Sequence, residues 1–282
     1  MQRTDRQLWT WKTSEEKPFL TCDLLPFSHG FFTQSFYPAA PEVLSAVLSP
    51  SALVYRVKQV HSGDVLTPTE VQRAIAQGLP QLDDGSTAPF PLADGVLSEQ
   101  PDQSVWACSA DCTPALIGDV VTGQVSAVHA GWRGTAQKIL PAAVSRFMAH
   151  GSELKNLRVA LGPAIDGSVY QVAHDVATEV GRTVAPVVPN AAVEDATVLD
   201  SSVDALIAHL IDIENPPLMD DPQAERVRLD VRRINQMQLE QMGLENSQIA
   251  IAPHCTYQEP EKFFSYRRTR EKKVQWSGIV SR

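Results

Sequence analysis

The stretch Trp106–Thr135, WACSADCTPALIGDVVTGQVSAVHAGWRGT, decides how this chain folds. Its apolar residues fall into short runs, SVWACSA, PALIGDVV and GQVSAVHA, each with the length and patterning of a buried strand. Cys112 and His129 stand at the ends of two of these runs, and the glycine-rich turn GWRG follows the histidine. Strand ends hold reactive groups rigidly, so Cys112 and His129 are the first candidates for chemistry. Earlier in the chain, KQVHSGDV offers His61 as a third donor.

Working outward, 282 residues at 43% hydrophobic content suffice for a full core, and we expect one domain over 1–282. The formal charge of -9 and pI near 5.3 give no global field for a polyanion, so nucleic acid is not an expected partner. No run approaches the roughly 18 apolar residues of a membrane helix, and MQRTDRQLWTWK lacks the apolar core of a secretory signal. The expectation is a soluble, cytoplasmic protein without a membrane partner. Cys22, Cys108, Cys112 and Cys255 are too few and scattered for a disulfide framework, leaving free thiols or a metal ligand.

The first segment, through DLLPFSHGFFTQSFYP, reads as strands joined by turns, with His29 as a turn histidine. A helix is expected at 41–48, and the alternation in ALVYRVKQVHSGDV predicts a half-buried strand that delivers His61 to a loop. Residues 77–91 have breaker composition and read as a surface excursion, and ADGVLSEQ follows as a strand start. Asp94, before Gly95, either caps a turn or serves a site shared with Asp111.

Beyond His129, a glycine-rich entry, a Thr135 cap and a helical body are expected, with Pro141 kinking or restarting the helix. Such a turn aims backbone amides at the pocket and, with Arg133, forms a candidate phosphate cradle; a solvated arginine is the plain alternative. LRVALGPAI reads as a buried strand and AHDVATEVGR as a short helix. Residues 184–222, rich in Pro, Ala and Asp around the helical patch VDALIAHLID, read as a peripheral insertion. Val227, Val231, Ile234 and Met237 follow helical spacing, and Gly243 stops that helix.

A structural zinc site takes four protein ligands, commonly as closely spaced Cys or His pairs, and no such pairs are present here. A catalytic site takes three and leaves a position open, which His61, Cys112 and His129 would provide. Two neutral imidazoles and a thiolate leave a positive centre able to activate water and polarise a substrate. Core and turn residues without any metal are the plain alternative. A Cys–His nucleophilic hydrolase is another, although the additional His61 weighs toward metal. Cys108 competes with Cys112, but it lies inside an apolar run whereas Cys112 opens a loop.

In order along the chain, HGFFTQ, KQVHSGDV, ADGVLSEQ, SADCTPALIGD, AVHAGWRGT, ALGPAI and CTYQEPEKFFSYRR resemble the YfiH-like family, the laccase-domain or multicopper polyphenol oxidase group. The resemblance spans about residues 28–268. It implies an α/β fold of α+β type with mixed sheets flanked by helices, and metal ligation by His61, Cys112 and His129. It also implies zinc-dependent purine nucleoside phosphorylase activity on adenosine, inosine, guanosine and methylthioadenosine, with adenosine deaminase activity. Purine nucleoside and phosphate would then be the small-molecule substrates, Arg133 would hold phosphate, and Asp94 or Asp111 would orient ribose or base. A copper ion in the same triad, with polyphenol oxidation, and a cell-wall-precursor amidase are the alternatives carried with it. The chain departs from the family at Gln34, where an arginine is usual, at Gln258 in place of a cysteine, and in KKVQWSGIVSR, which lacks the usual TGR.

Overall fold

The computed structural model describes residues 8–185 and 203–282. The three strands expected in the opening stretch are present as β7 (Gln103–Ser109), β8 (Thr113–Asp119) and β9 (Val125–Ala130), and they occupy the centre of the molecule. They belong to two different sheets. The first is ordered β1 (Trp9–Ser14), β2 (Lys17–Cys22), β3 (His29–Phe32), β15 (Gln275–Val280), β7, β4 (Leu53–Tyr55). The second is ordered β14 (Ile249–Ile251), β10 (Leu157–Leu161), β8, β9, β6 (Gly95–Leu97), β5 (Val65–Leu66). Both mix parallel and antiparallel pairs: β7 lies antiparallel to β15 and parallel to β4, and β10 lies antiparallel to β8 and parallel to β14. The fold is thus one α/β domain with mixed sheets, as the family resemblance implied, with eight helices among the described residues.

Residues of β8 are buried from end to end because both faces of its sheet are covered. The period of two sorts its side chains: Leu116 packs toward the first sheet, among Leu20, Phe31, Val105 and Ile279. Ala115 and Ile117 point the other way, onto α4 (Ile139–Ala149) and α7 (Val231–Gln241), meeting Leu140, Val144, Phe147 and Leu239. In β9 the same alternation puts Val125 and Ala127 between the sheets, and His129 shares their face. The outer face of the first sheet packs Phe19, Phe32 and Trp106 against Leu44 of α1 (Pro41–Leu48).

Local signals explain the helix starts. Thr67 and Glu70 form a reciprocal capping box around α2 (Pro68–Gln77), with proline at its first position. After Gly131, α3 (Trp132–Ala136) runs for one turn, the chain passes Lys138 in the left-handed region, and α4 begins with Pro141 in its first turn. The restart at Pro141 is as expected. Thr135 is not the cap: Gly131 holds that position, and Thr135 is buried inside α3, accepting a hydrogen bond from Asn235 Nδ2 at 3.1 Å.

A third, smaller layer joins β11 (Gln171–Ala173), β13 (Arg226–Leu229) and β12 (Leu218–Asp220) to α5 (His174–Gly181) and α6 (Val203–Asp212). Its core includes Val172, Val180, Leu206, Leu210, Leu218 and Leu229. Of the expected insertion at 184–222, residues 186–202 lie outside the described residues. The helical series expected from Val227 begins instead at Val231. Arg226–Leu229 alternates half-buried and buried, which is strand spacing, and Asp230 then caps α7 by accepting from the backbone N–H of Arg232 and Arg233. The final helix, α8 (Tyr266–Thr269), lies just before β15, which closes the first sheet between β3 and β7.

Candidate metal centre and its cavity

His129 leaves β9 at the point where the chain turns into α3, and Cys112 immediately precedes β8. Because β8 and β9 are paired antiparallel with Thr113 opposite Ala130, Cys112 and the end of β9 lie side by side. His61 arrives on the loop after β4 with φ of 62°, a left-handed conformation that histidine adopts only when its surroundings hold it there. One donor atom from each of His61, Cys112 and His129 lies within 4.8 Å of the others, so the three could hold a metal ion. Of the two cysteines, it is Cys112 that joins the group.

Asp94 organises this arrangement from behind. Its carboxylate is fully buried; Oδ1 accepts from His129 Nδ1 at 2.8 Å, and Oδ2 accepts from the backbone N–H of Val60 at 3.0 Å and Ser62 at 2.7 Å. The bond at Nδ1 sets the His129 tautomer and leaves Nε2 to face the other donors, the usual support for a metal-binding histidine. The bonds at Oδ2 grip the residues on either side of His61. Gln59 adds a second anchor: its amide donates to the Cys108 carbonyl and accepts from the Cys108 N–H, each at 2.8 Å.

Electrostatics match the geometry. Burial alone would push the Cys112 thiol up, but the neighbouring His129 and His61 imidazoles bring it down to about 6. Burial likewise opposes charge on His129, yet Cys112 and Asp94 together raise it. A thiolate is therefore available at neutral pH, which is the form that binds a metal. Gly131 is required by space: a Cβ there would sit 2.9 Å from Cys112 Sγ and 3.1 Å from His61 Cδ2.

The donors lie on the wall of a cavity of about 610 Å³, within the range of small-molecule sites. Arg133 lines it, its guanidinium 4.3 Å from the Trp132 ring centroid. Asp111 also lines it, with φ of 102°, but both carboxylate oxygens are engaged, accepting from Thr256 Oγ1 at 2.8 Å and from the backbone N–H of Arg267 at 2.7 Å. Asp94 does not line the cavity. Gln34 lies elsewhere too, donating to the Pro260 carbonyl at 2.7 Å. His29 is a buried strand residue rather than a turn histidine: Nδ1 donates to the Phe27 carbonyl and Nε2 accepts from the Cys22 N–H, both at 2.8 Å.

Several cavity residues were not anticipated: Lys58, Tyr170, Tyr266, Arg267, Arg270 and Lys272. The run RRTREKK at 267–273 was the available signal, a block of cations in a chain of net charge -9. Nothing local marks Tyr170, which reaches the cavity through the third layer.

Fold and site together define a class: an α/β protein with two histidines and one cysteine, able to hold a metal, on the wall of a cationic and aromatic cavity. Residues 41–280 match the family described as multi-copper polyphenol oxidoreductase laccase, and the chain belongs to this family, that of the YfiH-like proteins. It is 51% identical over 275 residues to a protein of Synechocystis sp. named purine nucleoside phosphorylase, with 97% of each chain covered. It is 27% identical over 188 residues to the purine nucleoside phosphorylase YlmD of Bacillus subtilis, covering 66% of this chain and 58% of that one. The crystal structure of YlmD from Geobacillus stearothermophilus superposes with a TM-score of 0.72 at 23% identity, covering 96% of this chain and 98% of that one. That of YfiH from Bacillus licheniformis gives 0.68 at 20% identity, covering 96% and 99%.

Proposed function

We propose that this protein is a zinc-dependent purine nucleoside phosphorylase, acting on adenosine, inosine, guanosine and methylthioadenosine and also deaminating adenosine, in the cytoplasm. The observation that carries the proposal is the His61–Cys112–His129 group on the wall of a cavity that also presents aromatic rings and cations. The name of the 51% identical relative supports the same activity.

When bound at these donors, zinc supplies Lewis acidity and water activation. The chain's own residues do the rest. In phosphorolysis a phosphate oxygen forms a bond to the ribose C1 as the bond from that carbon to the purine breaks. The electron pair leaves with the purine, which takes up a proton. Arg133 and the amides of the turn after His129 hold the phosphate, and the faces of Trp132 and Tyr170 offer stacking area for the base. Asp94 acts through His129 and the His61 loop, and Asp111 through Arg267, so both are positioning residues here. In deamination, water adds at C6 of adenosine and ammonia departs.

Copper is the competing ion, since the same donors would accept it. Multicopper oxidation is poorly supported: coupled copper centres draw on many histidines, whereas the chain has 7 and only two of them join the candidate group. The deciding experiment purifies the protein metal-free, measures zinc and copper uptake, and supplies inosine with phosphate or adenosine alone. Free base with ribose 1-phosphate from inosine, and inosine from adenosine, are expected. A zinc-loaded protein that consumes neither nucleoside overturns the proposal.

A further inference from the structure

The cavity carries more positive charge than one phosphate requires. Six cations line it, Lys58, Arg133, Arg267, Arg270, Lys272 and Lys273, against two acids, Asp111 and Glu271. The acids answer little of that charge. Asp111 spends both oxygens on Thr256 and the Arg267 backbone, and Glu271 pairs with Lys273 at 3.1 Å. The Arg267 guanidinium donates to the Gln171 carbonyl and lies 4.8 Å from the Tyr170 ring centroid. Among the described residues, Lys58, Arg133, Arg270 and Lys272 make no ion pair.

Gathering unanswered cations around one opening costs free energy through mutual repulsion, and does so in a chain whose net charge is -9. The cluster therefore offers more positive charge than one inorganic phosphate neutralises. Position separates two groups of cations. Arg133 follows the turn that adjoins His129 and Cys112. Arg270 and Lys272 are exposed, on the segment between α8 and β15, and so lie toward solvent. A nucleoside whose ribose C1 is near the metal donors can direct its 5′ end outward, and a phosphate there would meet this outer pair.

We infer that the cavity binds purine nucleoside 5′-monophosphates, with the 5′-phosphate held by Arg270 and Lys272, more tightly than it binds the parent nucleosides. The inference rests on the proposed purine nucleoside site. The probe is inosine 5′-monophosphate, titrated calorimetrically into zinc-loaded full-length protein beside inosine, ribose 5-phosphate and inorganic phosphate, each alone. At low ionic strength the monophosphate should bind about tenfold more tightly than inosine, and the gap should narrow at about 0.5 M salt as exposed charges are screened. The R270Q/K272Q double variant, with an unchanged melting temperature, should bring the monophosphate close to inosine.

A monophosphate that binds no better than inosine to the wild type overturns the inference. So does a double variant that keeps the full advantage. Ribose 5-phosphate or inorganic phosphate binding as tightly as the monophosphate would define a free-anion subsite and overturn it too. Inosine phosphorolysis measured on the same preparation separates the two proposals. Turnover without a monophosphate advantage sinks only this one, whereas the advantage without turnover sinks only the proposed activity.

Discussion

Asp94 and His129 are joined twice: the His129 backbone N–H donates to the Asp94 carbonyl at 2.7 Å, and His129 Nδ1 donates to Asp94 Oδ1 at 2.8 Å. The second oxygen of the same carboxylate holds both backbone neighbours of His61. One buried side chain thus fixes the tautomer of one candidate ligand and the loop of another. Asp94→Asn should weaken metal binding by about 10–100-fold, the usual effect of removing an outer partner of a ligating histidine. Competition against a chelator of known affinity measures this, and unchanged affinity would remove Asp94 from the site.

Gly131 tests the spacing of the donors. A methyl group there meets Cys112 Sγ and His61 Cδ2, while φ of -74° at this position places no conformational strain on alanine. Gly131→Ala should lose bound metal while its melting temperature changes little. Retention of stoichiometric metal would show that the donors can move apart to accept the methyl group.

The thiols should differ in reactivity in metal-free protein. Cys112 is brought down to about 6, whereas burial pushes Cys108 up to about 12. The rate of Cys112 alkylation by iodoacetamide should rise with pH and level off above about 7, because the thiolate is the nucleophile. Cys108 should stay unmodified throughout, and added zinc should protect Cys112. Peptide mapping by mass spectrometry reads both sites; first labelling at Cys108 would contradict the assignment.

His29 sets a pH dependence of stability. Burial lowers it to about 4 from the ordinary 6.5, against the stabilising hydrogen bond to Phe27. Above 6.5 the imidazole is neutral in both states. As pH falls from 6.5 toward 4 the unfolded chain takes up a proton that the folded chain refuses, so about 3 kcal/mol of stability is lost across that window. Urea unfolding at a series of pH values measures it. His29→Gln should flatten the slope, and an unaltered slope would assign it to other groups.

Much of this was legible in the sequence because it is local. The periodicity of SVWACSA, PALIGDVV and GQVSAVHA marks β7, β8 and β9, and the order of motifs around His61, Cys112 and His129 marks the family. Local cues also misled where two periods compete: Val227 fits the helical series of α7, but its partners in β11 and β12 make it a strand residue.

By itself, then, the sequence determined the central strands, the family and the three candidate ligands. Tertiary structure decided what surrounds them. His61 and Cys112 are brought together by loop and strand-end placement, and their contact leaves no periodic trace in the chain. Asp94 became the support of His129 because β6 pairs with β9, which sets its carboxylate behind the ring rather than in the cavity. Arg270 and Lys272 belong to a basic run whose place in the fold the chain order does not give, and the return of β15 between β3 and β7 brings that segment to the cavity. Side-chain pattern is written along the chain, whereas the charge and shape of a cavity arise from elements distant in sequence that meet only on folding.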